Sequence, residues 1–154
     1  MIRCITDPEE RETIAAHVLA ALPDWFGLPE STAEYVRRSR EMSFWAETTE
    51  EGETRGFIAL RETSPWTGEI YVMGVLPRCH RRGVGRALFQ ALCAEAQRRG
   101  YEFLQVKTVR EGCYPEYDRI NAFYRSLGFR ELECFPNLWD AWNPCQVFVM
   151  ALRG

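Results

Sequence analysis

The segment with the most chemical content runs Val72-Met73-Gly74-Val75-Leu76-Pro77-Arg78-Cys79-His80-Arg81-Arg82-Gly83-Val84-Gly85-Arg86-Ala87-Leu88. An apolar, β-rich stretch ends at Pro77, a basic loop follows, and two glycines flank Val84 where a helical period begins. The first N–H groups of a helix have no partners within it and point outward as donors to an anion. Glycine at 83 and 85 removes the Cβ atoms that would hold phosphate oxygens away from the backbone. Arg81, Arg82 and Arg86 add charge-assisted hydrogen bonds. Glycine inside a helix costs roughly 1 kcal/mol against alanine, which weakens the plainer reading of a helix start with incidental glycines. The spacing therefore predicts a loop that holds a pyrophosphate.

Other residues could act beside such a loop. Glu69 opens the strand before it, and alternation along a strand places Glu69, Tyr71, Met73 and Val75 on one face. Asn121 and Tyr124 lie one helical turn apart and share a face. A dinucleotide-binding reading fits poorly. Leu88 stands where the third glycine of G-x-G-x-x-G belongs, and the motif does not follow the first strand. Glu102 falls at the start of its strand rather than the end, where the ribose-binding acid would sit.

The elements that must position these residues are legible in outline. Ile2–Ile5 reads as a short strand. Asp7-Pro8-Glu9-Glu10 opens a helix with a capping acid, a proline at the first helical position and negative charge at its positive end. Ile14, Val18 and Leu22 give its stripe, and Pro23 stops it. Ser31-Thr32-Ala33-Glu34 has the pattern of a capping box and predicts a second helix through Tyr35–Arg40. Phe44–Thr49, Arg55–Glu62 and Glu69–Val75 are β-rich runs with short turn-forming separators, which predicts an antiparallel meander. Val84, Ala87, Leu88, Ala91 and Leu92 form a helical stripe ended by Gly100. A strand over Tyr101–Val109 then implies parallel pairing with Glu69–Val75. A last helix turns Ile120, Phe123 and Leu127 inward and ends at Gly128. Strands Phe129–Cys134 and Gln146–Leu152 flank a loop over Phe135–Cys145 that carries Trp139 and Trp142. The whole chain, 1–154, reads as one α/β domain.

Composition narrows the function classes. The 154 residues are 46% hydrophobic and 27% charged, the balance of a folded globular protein. Nineteen basic residues face 22 acidic ones for a net charge of −3, and Lys107 is the only lysine. Arg78, Arg81, Arg82 and Arg86 concentrate positive charge within an acidic chain, which suits a small polyanion better than a nucleic acid. No apolar run approaches the roughly 20 residues needed to span a bilayer, and charges at Asp7–Glu12 argue against a signal peptide. A cytoplasmic protein with no membrane or nucleic-acid partner is the expectation. Six cysteines without a C-x-x-C pattern, and His17 and His80 without paired ligands, give no metal site.

The run His80-Arg81-Arg82-Gly83-Val84-Gly85 resembles the acetyl-CoA pyrophosphate loop of the GNAT superfamily of N-acetyltransferases, whose pattern is Gln/Arg-x-x-Gly-x-Gly/Ala. His80 departs from the first position. Gly74-Val75-Leu76-Pro77 is similar to the family's fourth strand, and Asn121-Ala122-Phe123-Tyr124-Arg125-Ser126-Leu127-Gly128-Phe129 to its late helix. The resemblance implies a mixed, mostly antiparallel sheet with a central parallel strand pair and flanking helices. It implies acetyl-CoA as co-substrate, with no metal, and transfer of the acetyl group to a primary amine by direct attack in a ternary complex. Carried over residue by residue, Met73, Gly74, Val75, Arg81, Arg82, Gly83, Val84, Gly85, Arg86, Ala87 and Asn121 contact the cofactor, with a backbone N–H of Met73–Leu76 facing the thioester oxygen. Tyr124 matches the general acid, and Glu69 matches the base of the histone-acetylating members, with Glu116 and Asp118 as fallbacks. Cys79 and Cys113 could support an acyl-cysteine route, which the family rarely uses. Trp25, Phe26, Trp139 and Trp142 fall in loops that border the family's acceptor groove, and could instead form a homodimer contact or pack on themselves. A small-molecule or peptide amine is the implied acceptor. The same fold serving as a non-catalytic acyl-CoA-binding module is the alternative.

Overall fold

Asp7 caps the first helix as its position suggests, its carboxylate accepting from the N–H groups of Glu9 and Glu10. The computed structural model describes residues 1–152 of the chain. Its elements are β1 (Ile2–Cys4), α1 (Pro8–Ala20), α2 (Pro29–Ser39), β2 (Ser43–Thr48), β3 (Thr54–Ser64), β4 (Thr67–Val75), α3 (Val84–Arg98), β5 (Phe103–Val109), α4 (Pro115–Leu127), β6 (Arg130–Asp140) and β7 (Asn143–Ala151). Seven strands form one sheet in the order β1-β2-β3-β4-β5-β7-β6. Only β4 and β5 run parallel; every other adjacent pair is antiparallel. This is the mixed α/β architecture expected from the sequence.

Helices cover both faces. A Cβ on Gly74 would meet Val18 and Leu22 of the α1 region at 3.0 Å, whereas one on Gly56 would meet Leu88 of α3 at 3.2 Å. Phe57 and Gly56 pair with Gly74 and Val75, so α1 and α3 pack on opposite faces. Stacked Phe44 and Phe57, with centroids 5.0 Å apart, lie in the core with Val18, Leu19, Leu88 and Leu92. Each such burial contributes about 1.5–3 kcal/mol.

Two departures in the sheet shape the site. The first is a bulge in β4: Ala59 faces Val72 and Leu60 faces Ile70, leaving Tyr71 as an extra residue. A bulge breaks strict alternation and re-aims the side chains beyond it. Tyr71 consequently packs against Tyr35 and Arg38 of α2. Met73 lies near Gly85 and Val75 beside Gly56, both on the α3 side. The expectation that Glu69, Tyr71, Met73 and Val75 share one face is corrected accordingly: Glu69 and Tyr71 face α2, while Met73 and Val75 face α3. The second departure is a split. Pairing of β4 with β5 covers Thr67–Ile70 against Phe103–Val106 and then stops. β4 continues along β3 and β5 along β7, so a cleft opens between the two strands in mid-sheet.

Three smaller expectations change. α2 begins at Pro29 rather than at the Ser31-Thr32 pattern, because proline's fixed φ and missing N–H suit the first helical position; the Thr32 hydroxyl bonds to Phe26 O instead (3.1 Å). Along α4 it is Asn121 and Tyr124 that are buried, while Ile120, Phe123 and Leu127 sit half-buried at the core margin. The loop over Phe135–Cys145 is mostly strand: β6 runs to Asp140, whose carboxylate accepts from Trp142 N and Asn143 N to close a tight turn. Nearly every β6 residue is exposed, so backbone pairing to β7 sets this strand and leaves no apolar period to read.

Candidate active site

The cleft presents backbone donors that a closed sheet would have consumed. Leu76 N–H bonds to Arg55 O of β3 at 2.9 Å. Alternation then turns the peptide groups of Met73 and Val75 away from β3, toward the space β5 has left. His80 Nε2 lies 2.7 Å from Val75 O. A carbonyl oxygen only accepts, so that nitrogen carries the proton and the carbonyl is occupied. The Met73 and Val75 N–H groups face the cleft.

At the end of β4 the chain passes through a short 3₁₀ turn, Pro77–Cys79, and into α3. Gly83 caps α3 at φ +80° with no side-chain cap, and Arg81 takes φ +63°, left-handed geometry that non-glycine residues rarely adopt. Ala87 N–H bonds to Gly83 O, so the N–H groups of Val84, Gly85 and Arg86 have no helical acceptor. A Cβ on Gly83 would meet nothing within 4 Å, whereas one on Gly85 would come within 3.1 Å of Phe123. Gly83 is thus required by its φ and Gly85 by its neighbour on α4. These free amides and the cationic side chains beside them fit a pyrophosphate. Arg81 and Arg86 line the adjoining cavity, and Arg86 also donates to Ser126 Oγ at 3.1 Å. Arg82 and Ala87, expected at the cofactor, lie outside the lining.

A cavity of about 730 Å³ runs through the cleft, lined by Met73, Gly74, Val75, Gly83, Val84 and Gly85 toward α3. On the other side it is walled by Trp25, Phe26, Tyr35, Tyr71, Tyr117 and Trp139. Trp25 knots the α1–α2 loop to the start of α4. Its Nε1 donates to Glu116 O (3.2 Å), its own carbonyl accepts from Tyr117 OH (2.8 Å), and its ring meets that of His80 edge-on. Of the aromatics in question, Trp25 and Phe26 are half-buried in this packing, Trp139 reaches the cavity, and Trp142 is 79% exposed.

Tyr124 lines the cavity from α4, between the rings of Phe123, Phe129 and Phe148. Burial pushes its phenol well above the ordinary value, with no hydrogen bond contributing. It is therefore held protonated as a donor at the cleft. Tyr117 is likewise pushed up to about 12 by burial. Asn121 is placed differently from the expectation of a cofactor contact. It is 0% exposed, its Oδ1 accepts from Thr108 Oγ1 (2.9 Å), and its Nδ2 donates to Val109 O (3.0 Å). Both ends of its amide are used to fasten α4 to the diverging end of β5, which keeps a buried polar group satisfied.

Glu69 is also away from the cavity wall. It is 2% exposed and ion-paired with Arg61, and its Oε2 lies 2.9 Å from Lys107 Nζ and 3.3 Å from Gln105 Nε2. Glu116 lines the cavity, while Asp118 accepts from Gly112 N–H (2.8 Å) and organises the preceding loop. Cys79 is buried on the wall, and Cys113 is exposed on the loop before α4. Sequence reasoning missed Lys107, Thr108 and Tyr35, and put Tyr71 on the strand face of Met73 and Val75. Lys107 alone carried a signal, as the single lysine in a chain otherwise using arginine. Among the described residues no group of three or more His, Cys, Asp or Glu is placed to hold a metal, and no helix is long and apolar enough to cross a membrane.

A sequence profile of the Acetyltransferase (GNAT) family matches residues 5–129. The chain is 32% identical over 112 residues to the "uncharacterized N-acetyltransferase YsnE" of Bacillus subtilis (strain 168), covering 73% of this chain and 70% of that one. Among solved structures, Ard1 from Thermoplasma volcanium superposes with a TM-score of 0.78 at 20% identity, covering 100% of this chain and 98% of that one. An aminoglycoside 6'-N-acetyltransferase complexed with coenzyme A does so with a TM-score of 0.76 at 17% identity, covering 100% and 98%. At those identities the two structures speak for the fold. Together with the profile match and the Bacillus relative, the split sheet and the glycine-led helix place this chain in the acetyltransferase (GNAT) family, as an N-acetyltransferase.

Proposed function

We propose that the protein transfers an acetyl group from acetyl-CoA to a primary amine, with both substrates in the cleft at once. The observation that carries this reading is the alignment of three donor sets along one cavity. They are the free amides of α3 with Arg81 and Arg86, the Met73 and Val75 N–H groups, and the Tyr124 phenol. Acetyl-CoA supplies a thioester: the amine nitrogen bonds to its carbonyl carbon, the carbon–sulfur bond breaks, and CoA departs as a thiolate. The α3 amides and arginines hold the pyrophosphate, and a cleft-facing amide of Met73 or Val75 donates to the thioester oxygen as charge develops there. Tyr124 gives its proton to the leaving sulfur; the burial that strengthens its hold on the proton raises the proton affinity of a buried thiolate as well.

The attacking amine must shed a proton. Glu69 takes it in this reading, at the point where the sheet splits. Its Oε2 is occupied by Lys107, so Glu69 acts once that cation is drawn away. Glu116, which lines the cavity, is the alternative acceptor.

Calorimetric titration with acetyl-CoA, with NAD and ATP at equal ionic strength, tests the cofactor; free-thiol release on adding amines tests transfer. Saturable one-site binding of acetyl-CoA alone, with amine-dependent thiol release, is the expected result. Binding without release for any amine indicates an acyl-CoA-binding module. Absence of acetyl-CoA binding overturns the reading.

A further inference from the structure

The half of the cavity that faces α2 has a charge pattern of its own. Its wall is aromatic, and the charged side chains lining it are Lys107, Arg119 and Glu116. Immediately behind Lys107 lies a cluster of two cations on one carboxylate: Arg61 and Lys107 both pair with Glu69. Arg61 holds its guanidinium 4.9 Å from the Tyr71 ring centroid, outside the cavity lining, with its Nε buried without a partner. Glu69 is sealed at 3% side-chain exposure, while Lys107 is 29% exposed and reaches the cavity. One negative charge against two positive ones leaves the cluster with a net positive charge, presented at the Lys107 ammonium. A polycationic acceptor entering here would meet one lining carboxylate and this cluster, an arrangement that repels it.

We propose that Lys107 receives the carboxylate of the acceptor, and that the acceptor is a small aromatic α-amino acid. This rests on the acetyltransferase reading above and deepens it. The amine and carboxylate of an α-amino acid sit on one carbon, matching the adjacency of Glu69 and Lys107, whose charged atoms are 2.9 Å apart. Its ring packs against Tyr35, Tyr71 and Phe26. When the acceptor carboxylate takes Lys107, that cation leaves Glu69 Oε2 and opens the oxygen to the proton of the neighbouring ammonium. The neutral nitrogen then bonds to the acyl carbon, the carbon–sulfur bond breaks, and the thiolate takes the Tyr124 proton. An amine without a carboxylate leaves Lys107 on Glu69 and meets an occupied base. Lys107 thus selects the substrate and releases the proton acceptor in one movement.

The experiment compares L-phenylalanine, phenethylamine, spermidine and a phenylalanine-led peptide amide as acceptors for the protein. Thiol release gives kcat and KM, and calorimetry on the CoA-loaded protein gives binding. L-phenylalanine is expected to exceed phenethylamine by about tenfold or more in kcat/KM. Lys107→Met is expected to raise the KM for L-phenylalanine and, by leaving Glu69 Oε2 open, to raise kcat for phenethylamine, so the preference collapses; Lys107→Arg is expected to restore part of it. A lysine that is merely structural would lower both acceptors equally, and that result overturns the proposal. So does a preference for phenethylamine, spermidine or the peptide amide, which leaves acetyl transfer standing. Lys107-dependent binding of L-phenylalanine without thiol release keeps the carboxylate site and removes the catalytic reading.

Discussion

The two sides of the cleft are built by different means. Toward α3 the groups that face the cleft are backbone amides, freed by a helix start, a left-handed glycine and a strand that has lost its neighbour. Toward α2 the cleft is lined by side chains from separate elements, Tyr35, Tyr71 and Lys107, held by ring contacts and by the ion pair of Lys107 with the buried Glu69 behind it. A bulge at Tyr71 divides one strand between the two regimes. An invariant part of a ligand can be gripped by backbone, whose geometry tolerates changes of side chain. A variable part must be read by side chains, and those are where one such enzyme can differ from another.

The strongest loss of turnover is expected at the proposed proton donor. Tyr124→Phe is expected to lower kcat about hundredfold and leave acetyl-CoA affinity within about twofold by calorimetry, since the grip on CoA is assigned to the α3 amides. An equal loss of affinity would place the phenol in binding rather than proton transfer. Next comes the fastening of the split. Asn121→Ala strands Thr108 and Val109 O at a buried site, an expected loss of about 1–3 kcal/mol in urea unfolding. Its effect on acetyl-CoA binding would follow indirectly from movement of α4. If Asn121 instead contacted the cofactor, affinity would fall with little loss of stability.

A finer cut separates two arginines that the motif treats alike. Arg81 lines the cavity and Arg82 does not. Arg81→Ala is expected to weaken acetyl-CoA binding about fivefold at low salt, and Arg82→Ala to change it less than about twofold. Equal effects would return the loop to a general cationic patch. The smallest effect lies outside the cleft. Hydrogen bonds from Arg98 and Arg99 lower the Glu95 carboxyl from 4.5 to about 2, and Arg55 lowers that of Glu47. A depressed carboxylate adds stability that is present above its unfolded value and lost as pH falls through its folded one. The urea midpoint should therefore decline as pH drops from 4.5 to about 2, with Glu95→Gln flattening part of that slope.

Much of what is written in local chemistry was legible from the residues, although the capping-box pattern at Ser31-Thr32 did not mark the start of α2. The Gly83-Val84-Gly85 loop, the caps at Asp7 and Gly128 and the turns of the meander follow from backbone rules acting over a few residues, and the parallel direction of β4 and β5 from the helical crossover between them. The sequence also pointed to Tyr124, through a motif whose spacing is local. Tertiary structure decided what depends on elements far apart in the chain. The Tyr71 bulge arises from β3–β4 register and moved Met73 and Val75 off the face of Glu69. Asn121 reads as a polar residue near a cofactor, yet Thr108 and Val109 claim its amide. β6 continues where apolar patterning ends because hydrogen bonds to β7, rather than burial, hold it. Glu69 and Lys107 stand 38 positions apart, and only the parallel register of β4 on β5 brings their charges together. Charge pairing across a sheet is a property of register, and register is set by the packed whole.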